Sequence, residues 1–164
     1  MENYIVINGK KAELTEEQLK QLGIKVEKKE TPFTRKANEP YFYISVSNNI
    51  LCENDDDTNI ETALYDNVNY FNDKNFAEQV ALHQLLYRKL LKYAYENDVN
   101  NCNWRDTQER KYYICFDYEK RHFSVFANFF CKDCNVYFNN LEIAKQAITD
   151  VILPFMRDNP KFVW

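Results

Sequence analysis

The alternation of apolar and polar positions predicts hairpins and helices in a recurring order. Tyr4-Ile5-Val6-Ile7 and Lys10-Lys11-Ala12-Glu13-Leu14 flank Asn8-Gly9, a dipeptide whose residues both tolerate positive φ and so favour a type I′ hairpin turn. In that pairing Ile5 and Ile7 share a face with Ala12. Thr15-Glu16-Glu17-Gln18 has the spacing of a capping box, with Gln18 at the third helical position. Leu19 and Leu22 give the short helix its apolar side, and Gly23 stops it. Residues 24–40 are charged and end in Pro40; they read as a connector, with a short strand at Ile24–Val26.

Tyr41-Phe42-Tyr43-Ile44-Ser45-Val46 reads as a strand, Asn48-Asn49 as its turn and Ile50-Leu51-Cys52 as the return. An acidic loop from Glu53 to Asn59 follows, then a third strand around Val68–Phe71 and a helix from Asp73 to Asn97. Along that helix Phe76, Val80, His83, Tyr87, Leu90 and Ala94 fall on one stripe at helical spacing, flanked by Leu82, Leu86 and Tyr93. Residues 98–109 form a polar loop holding Trp104. Tyr112–Tyr118 and Phe123–Phe130 then pair around Glu119-Lys120, with Ile114 meeting Val125 and Phe116 meeting Phe123 on one apolar face. After a turn at Cys131-Lys132-Asp133-Cys134 comes a short strand at Val136–Phe138. Asn139 is the expected cap of the last helix, with Glu142 at its third position. Ile143, Ala147, Ile148, Val151 and Phe155 form that helix's buried stripe, and Pro154 kinks or ends it. Phe162-Val163-Trp164 closes the chain.

One phrase occurs twice. Tyr70-Phe71-Asn72 leads to Ala77 and Gln79, as Tyr137-Phe138-Asn139 leads to Ala144 and Gln146. Each copy reads as a strand end running into a capped amphipathic helix. The expected fold class is therefore α+β, with two strand-strand-strand-helix repeats, their antiparallel sheets packed on helices, preceded by a small hairpin-helix unit. The boundaries are 1–40 for the hairpin, short helix and connector, and 41–164 for the repeated domain, divided into 41–97 and 98–164. The first copy is the longer between its matched points, and the acidic loop is where the extra residues belong.

Composition narrows the function classes. The chain has 164 residues, enough for one domain with a real interior, and no window apolar enough to span a bilayer. Its start resembles no leader peptide, so the expectation is a soluble, cytoplasmic protein. A net charge of -4 argues against generic nucleic-acid binding, which usually needs a basic excess. Five cysteines without a leader imply reduced thiols. Gly9 and Gly23 are the only glycines, which excludes a glycine-rich phosphate loop.

Several clusters hold residue types capable of chemistry. Cys131 and Cys134 have zinc-knuckle spacing, and Cys102, Cys52 or His122 would have to complete the set; plain reduced thiols are the simpler reading, so no metal or cofactor is assigned. Asp55, Asp57, Asn59, Glu61 and Asp66 match part of a calcium loop, but Ile60 stands where the sharp turn needs Gly. The same acidic stretch, Glu53, Asp55, Asp56, Asp57 and Glu61, is the expected partner-binding surface, offering phosphate-like charge to a basic groove. Trp104, Arg105, Arg110, Lys111 and Arg121 form the alternative, a nucleotide or single-strand surface combining stacking with positive charge. His83 sits on an apolar stripe and is expected in the core. His122 flanks a turn and is expected to be exposed. Neither stands beside an evident nucleophile in the sequence, so no triad and no enzyme is expected.

The opening Ile5-Val6-Ile7-Asn8-Gly9-Lys10-Lys11-Ala12-Glu13-Leu14-Thr15-Glu16-Glu17-Gln18-Leu19, the stretch around Val136-Tyr137-Phe138 and the ending from Leu153-Pro154-Phe155-Met156 to Phe162-Val163-Trp164 carry a resemblance. They resemble small uncharacterised proteins of prophages and mobile elements of low-GC Gram-positive bacteria. The resemblance implies a setting rather than a site: a non-enzymatic accessory protein that binds and inhibits a host protein, such as a CRISPR nuclease or another nucleic-acid-binding defence factor.

Overall fold

The computed structural model describes residues 4–7, 10–23, 29–97 and 102–164. Their arrangement is α+β, built from antiparallel hairpins and the helices that follow them. The first hairpin pairs β1 (Tyr4–Ile7) with β2 (Lys10–Glu13), with Ile5 opposite Ala12 as the spacing predicts. Its Asn8-Gly9 turn and the proposed strand at Ile24–Val26 lie outside the described residues. Helix α1 (Glu16–Gln21) opens with the expected reciprocal box between Thr15 and Gln18. Gly23 ends it at a φ of +71°, a left-handed conformation that costs Gly little.

The second hairpin pairs β3 (Pro40–Ile44) with β4 (Ile50–Asn54). The strand stops before Val46, which sits fully exposed in the turn. The segment before it, assigned by sequence to the N-terminal unit, packs onto this half. Phe33 stands 5.4 Å from Phe71 and 5.2 Å from Phe76 between ring centroids, and the Asn72 amide donates to the carbonyls of Thr31 and Thr34.

The expected third strand at 68–71 shrinks to one bridge, Phe42 with Phe71. The cause is local. The Asn69 side chain accepts from the Ile44 N–H and donates to its carbonyl, both at 2.9 Å, taking the place of a backbone ladder. In the second half the strand at 136–138 likewise reduces to one bridge, Tyr112 with Phe138. Phe71 and Phe138 are both fully buried, each worth ~1.5–3 kcal/mol in burial alone.

An element absent from the sequence reading fills the end of the acidic loop. Helix α2 (Asn59–Asp66) begins at Thr58, which accepts from the Ile60 N–H while Glu61 accepts from the Thr58 N–H at 2.9 Å. It ends in a Schellman arrangement: the Val68 N–H reaches the Tyr65 carbonyl and the Asn69 N–H the Leu64 carbonyl. Val68 takes the left-handed position at a φ of +56°, unusual for a β-branched residue.

Helix α3 (Lys74–Asn97) is the spine. Asp73 caps it through the Phe76 N–H. Its buried residues are Ala77, Ala81, Leu86, Leu90 and Ala94. This corrects the expected stripe: Phe76 and Val80 are only partly covered, and His83 and Tyr87 are exposed. The alanines decide the face, because small side chains let the helix lie close against β3 and β4.

The third hairpin, β5 (Lys111–Asp117) with β6 (His122–Asn128), has the expected register, Ile114 against Val125 and Phe116 against Phe123. Helix α4 (Leu141–Ala147) is capped by Asn140, not Asn139: the Asn140 carboxamide accepts from the N–H groups of Glu142 and Ile143. Pro154 does not end the helical run. A π-helical turn (Ile148–Ile152) comes first, with the Leu153 N–H bonding the Ile148 carbonyl, and α5 (Leu153–Asp158) continues through the proline. The wider turn accommodates a residue that has no N–H to donate. The main core joins α3, β5, α4, the π turn and α5 through Leu86, Leu90, Ile114, Phe138, Ile152 and Phe155. The chain end is clamped to α3 by one side chain: the Gln79 amide donates to the Lys161 carbonyl at 2.7 Å and accepts from the Val163 N–H at 3.1 Å.

Candidate functional site

The acidic stretch is not one exposed charged surface. Asp55 is 0% exposed, held by Arg35 through two bonds of 2.6 and 2.8 Å and by the Tyr70 hydroxyl at 3.0 Å. Arg35 also reaches Asp57 and Thr62. The Arg35 bonds hold the Asp55 carboxyl down at about 2, against the opposing pull of burial, and the Asp55 bonds raise Arg35. Tyr41 stacks on Tyr70 with centroids 4.5 Å apart. Glu61 is also buried, spent on the α2 cap that lowers its pKa. Glu53 accepts from the hydroxyls of Tyr43 and Tyr41, which leaves Asp56 and Asp57 as its exposed members without tyrosine partners. A helix from Asn59 also occupies what would be the second half of a calcium loop. The five-carboxylate partner surface is thereby corrected: two of its members are internal struts.

The basic-aromatic group is also divided. Lys111 is 0% exposed, its ammonium donating to the carbonyls of Asp106, Glu109 and Phe129 and standing 3.6 Å from the Glu109 carboxylate. Lys111 and Lys132 each lie 5.6 Å from the Trp104 ring, and Tyr137 meets that ring edge-on at 4.8 Å. Trp104 is thus a packed ring rather than an open stacking platform. Arg110 lies over Phe129. Arg121 occupies the β5–β6 turn, about 20 Å from Lys111 along the ribbon at ~3.4 Å per residue. Of the expected nucleotide-binding set, Trp104 and Lys111 are in contact, Lys111 buried and Trp104 partly covered, Arg105 and Arg110 border them, and Arg121 stands apart.

Cys131 and Cys134 are exposed and Cys102 partly so. Among the described residues no three His, Cys, Asp or Glu side chains stand close enough to hold a metal ion. Burial, with Asp133 nearby, pushes the Cys115 thiol up. His122 is exposed as expected, but it has a hydroxyl neighbour that sequence spacing did not reveal: its Nε2 lies 2.9 Å from Ser124 Oγ. The pair stands on the open face of β6, and Asp117 across from it is engaged with the turn N–H groups of Glu119 and Lys120.

His83 is corrected most sharply. It is exposed, packs on Phe162 at 4.7 Å and borders a cleft of about 510 Å³. The floor of the cleft is apolar: Leu86 and Leu90 from α3, Ile114 from β5, and Val136 and Phe138 from the segment between β6 and α4. Trp164 forms a wall, set in place because the Tyr118 hydroxyl donates to its carbonyl and Phe123 packs edge-on at 4.9 Å. Gln84, Tyr87, Arg88 and Asn135 complete the mouth. A second, more polar hollow of about 580 Å³ shares Gln84 and Arg88 and runs to Val46 and Val68. Both valines are exposed, as is much of Tyr87. An apolar floor with a few polar groups at its mouth is the usual anatomy of a binding site. Sequence reasoning missed it because its floor belongs to three separate segments. The available signal was His83 and Tyr87, two amphipathic residues on one flank of the longest helix.

No family model, no curated protein and no solved structure matches the chain. No helix among the described residues is long and apolar enough to cross a membrane.

Proposed function

We propose that the protein is a non-enzymatic binding protein that docks on a host protein and blocks it, with the α3 cleft as its working surface. The observation that carries this reading is the cleft itself, an apolar floor opening beside exposed Tyr87, with exposed Val46 and Val68 in the adjoining hollow. Buried apolar anchors surrounded by polar rims are how protein interfaces concentrate affinity. The groups at the mouth, Gln84, Arg88 and Asn135, are suited to holding a ligand by hydrogen bonds. The setting, a phage or mobile-element protein acting on a defence factor in the host cytoplasm, rests on the sequence resemblance alone. The acidic stretch is the weaker candidate for docking because Asp55 and Glu61 are committed inside the fold.

We also read the two halves as copies of one unit. The bridges Phe42–Phe71 and Tyr112–Phe138 fall at matching points of the repeated phrase. In each half a hairpin precedes the phrase and a helix follows it. In this reading α2 is the insertion that lengthens the first copy.

The docking proposal is tested by capture from host cells with three forms of the tagged protein. Wild type and Asp56→Lys are expected to retain the same partner, and Tyr87→Asp to lose it while keeping its thermal unfolding transition. Loss with Asp56→Lys and retention with Tyr87→Asp would return the interface to the acidic corner.

A further inference from the structure

We infer that the cleft is selective for an apolar anchor joined to a carboxylate, and that Arg88 makes the selection. This rests on the cleft being the docking site, and it commits the partner to a segment in which an aromatic or aliphatic side chain lies beside an acidic group. The first ground is charge. The chain carries 25 Asp and Glu and a net charge of -4, yet among the described residues no Asp or Glu lines the cleft or the hollow that adjoins it. Arg88 stands at the seam between them and lines both. Among the described residues no carboxylate pairs with it. Its bond is to a neutral acceptor, Asn48 Oδ1, at 2.5 Å.

The second ground is preorganisation. Asn48 sits at a φ of +66°, and its carboxamide also donates to the Ala81 carbonyl on α3. The guanidinium is therefore tethered to a fixed point beside the apolar floor, with donors left over. A planar guanidinium with free N–H groups matches a carboxylate in two parallel bonds. A nucleic-acid backbone would need a row of cations, and among the described residues Arg88 is the only Lys or Arg lining either hollow.

The test uses 4-phenylbutyrate as the probe and 4-phenylbutyramide as its uncharged counterpart, titrated into the full chain and into Arg88→Met. Binding is followed by NMR shifts of the Trp164 indole and the Ile114 methyls. The expected result is that wild type binds the acid about fivefold more tightly than the amide, the scale of one exposed charge pair. In Arg88→Met that preference should vanish, the acid losing more affinity than the amide, and in wild type it should shrink as salt is raised. Equal affinities for acid and amide in wild type would overturn selection by Arg88 and leave the cleft standing as a site. No saturable shift with either probe would overturn both.

Discussion

Asp55 ties three separate segments together through one side chain, and its protonation is the fold's clearest acid-sensitive point. Arg35 comes from the segment before β3, Tyr70 from the end of the first half, and the Asp57 N–H from the loop itself. The folded-state pKa of about 2 lies below the ordinary carboxyl value of 3.8. Its contribution is therefore fully present above pH 3.8 and is lost as pH falls through about 2. Urea unfolding at a series of pH values should show stability declining across that window, and Asp55→Asn should flatten the decline while lowering stability at neutral pH. Val68 makes the opposite case, a residue the fold tolerates rather than uses. It occupies the left-handed position of the α2 Schellman motif, where Gly is favoured. Val68→Gly should therefore raise stability by ~1 kcal/mol, because the left-handed cost for a residue with a Cβ is relieved; a denaturant midpoint that falls instead would contradict the account of that turn.

At the scale of elements, caps and registers determined what could be foreseen. Thr58 and Glu61 repeat the spacing of Thr15 and Gln18, and both sets form reciprocal boxes. Thr58→Ala should cost ~1 kcal/mol and expose α2 amides to hydrogen exchange while those of α4 stay protected. The α2 box is legible in the sequence, but the run of aspartates before it obscures the helix start with a stronger charge signal. The β5–β6 register was legible because apolar residues alternate cleanly on one face. The buried face of α3 was not. Its bulky residues Phe76, Val80, His83 and Tyr87 align on a flank, whereas the true contact begins with Ala77 and Ala81, which carry little hydrophobic signal. That phase error placed His83 in the core and concealed the cleft beside it. The Asn of the repeated phrase is not the helix cap in either copy: Asn72 ties down the segment before β3, and the caps are its neighbour Asp73 and, in the second copy, Asn140.

For the whole molecule, the cleft exists because distant parts of the chain are brought to one flank of α3. Gln79 holds the last residues in place, and those residues supply the Trp164 wall. Gln79→Ala should leave the core intact but release the chain end, seen as a red shift of Trp164 emission and faster exchange at Val163, with binding at the cleft weakened together with them. The acidic corner and the basic-aromatic hairpin, which dominate the sequence by charge, are largely consumed by the internal bonds of Asp55, Glu61 and Lys111. Docking on the α3 flank is tested by placing a photo-crosslinking residue, one position at a time, at Tyr87, Asp56 and Phe130 in protein expressed in a bacterial host. A discrete covalent adduct is expected from Tyr87 and none from the other two; an adduct from Asp56 or Phe130 with none from Tyr87 would rule out docking on that flank.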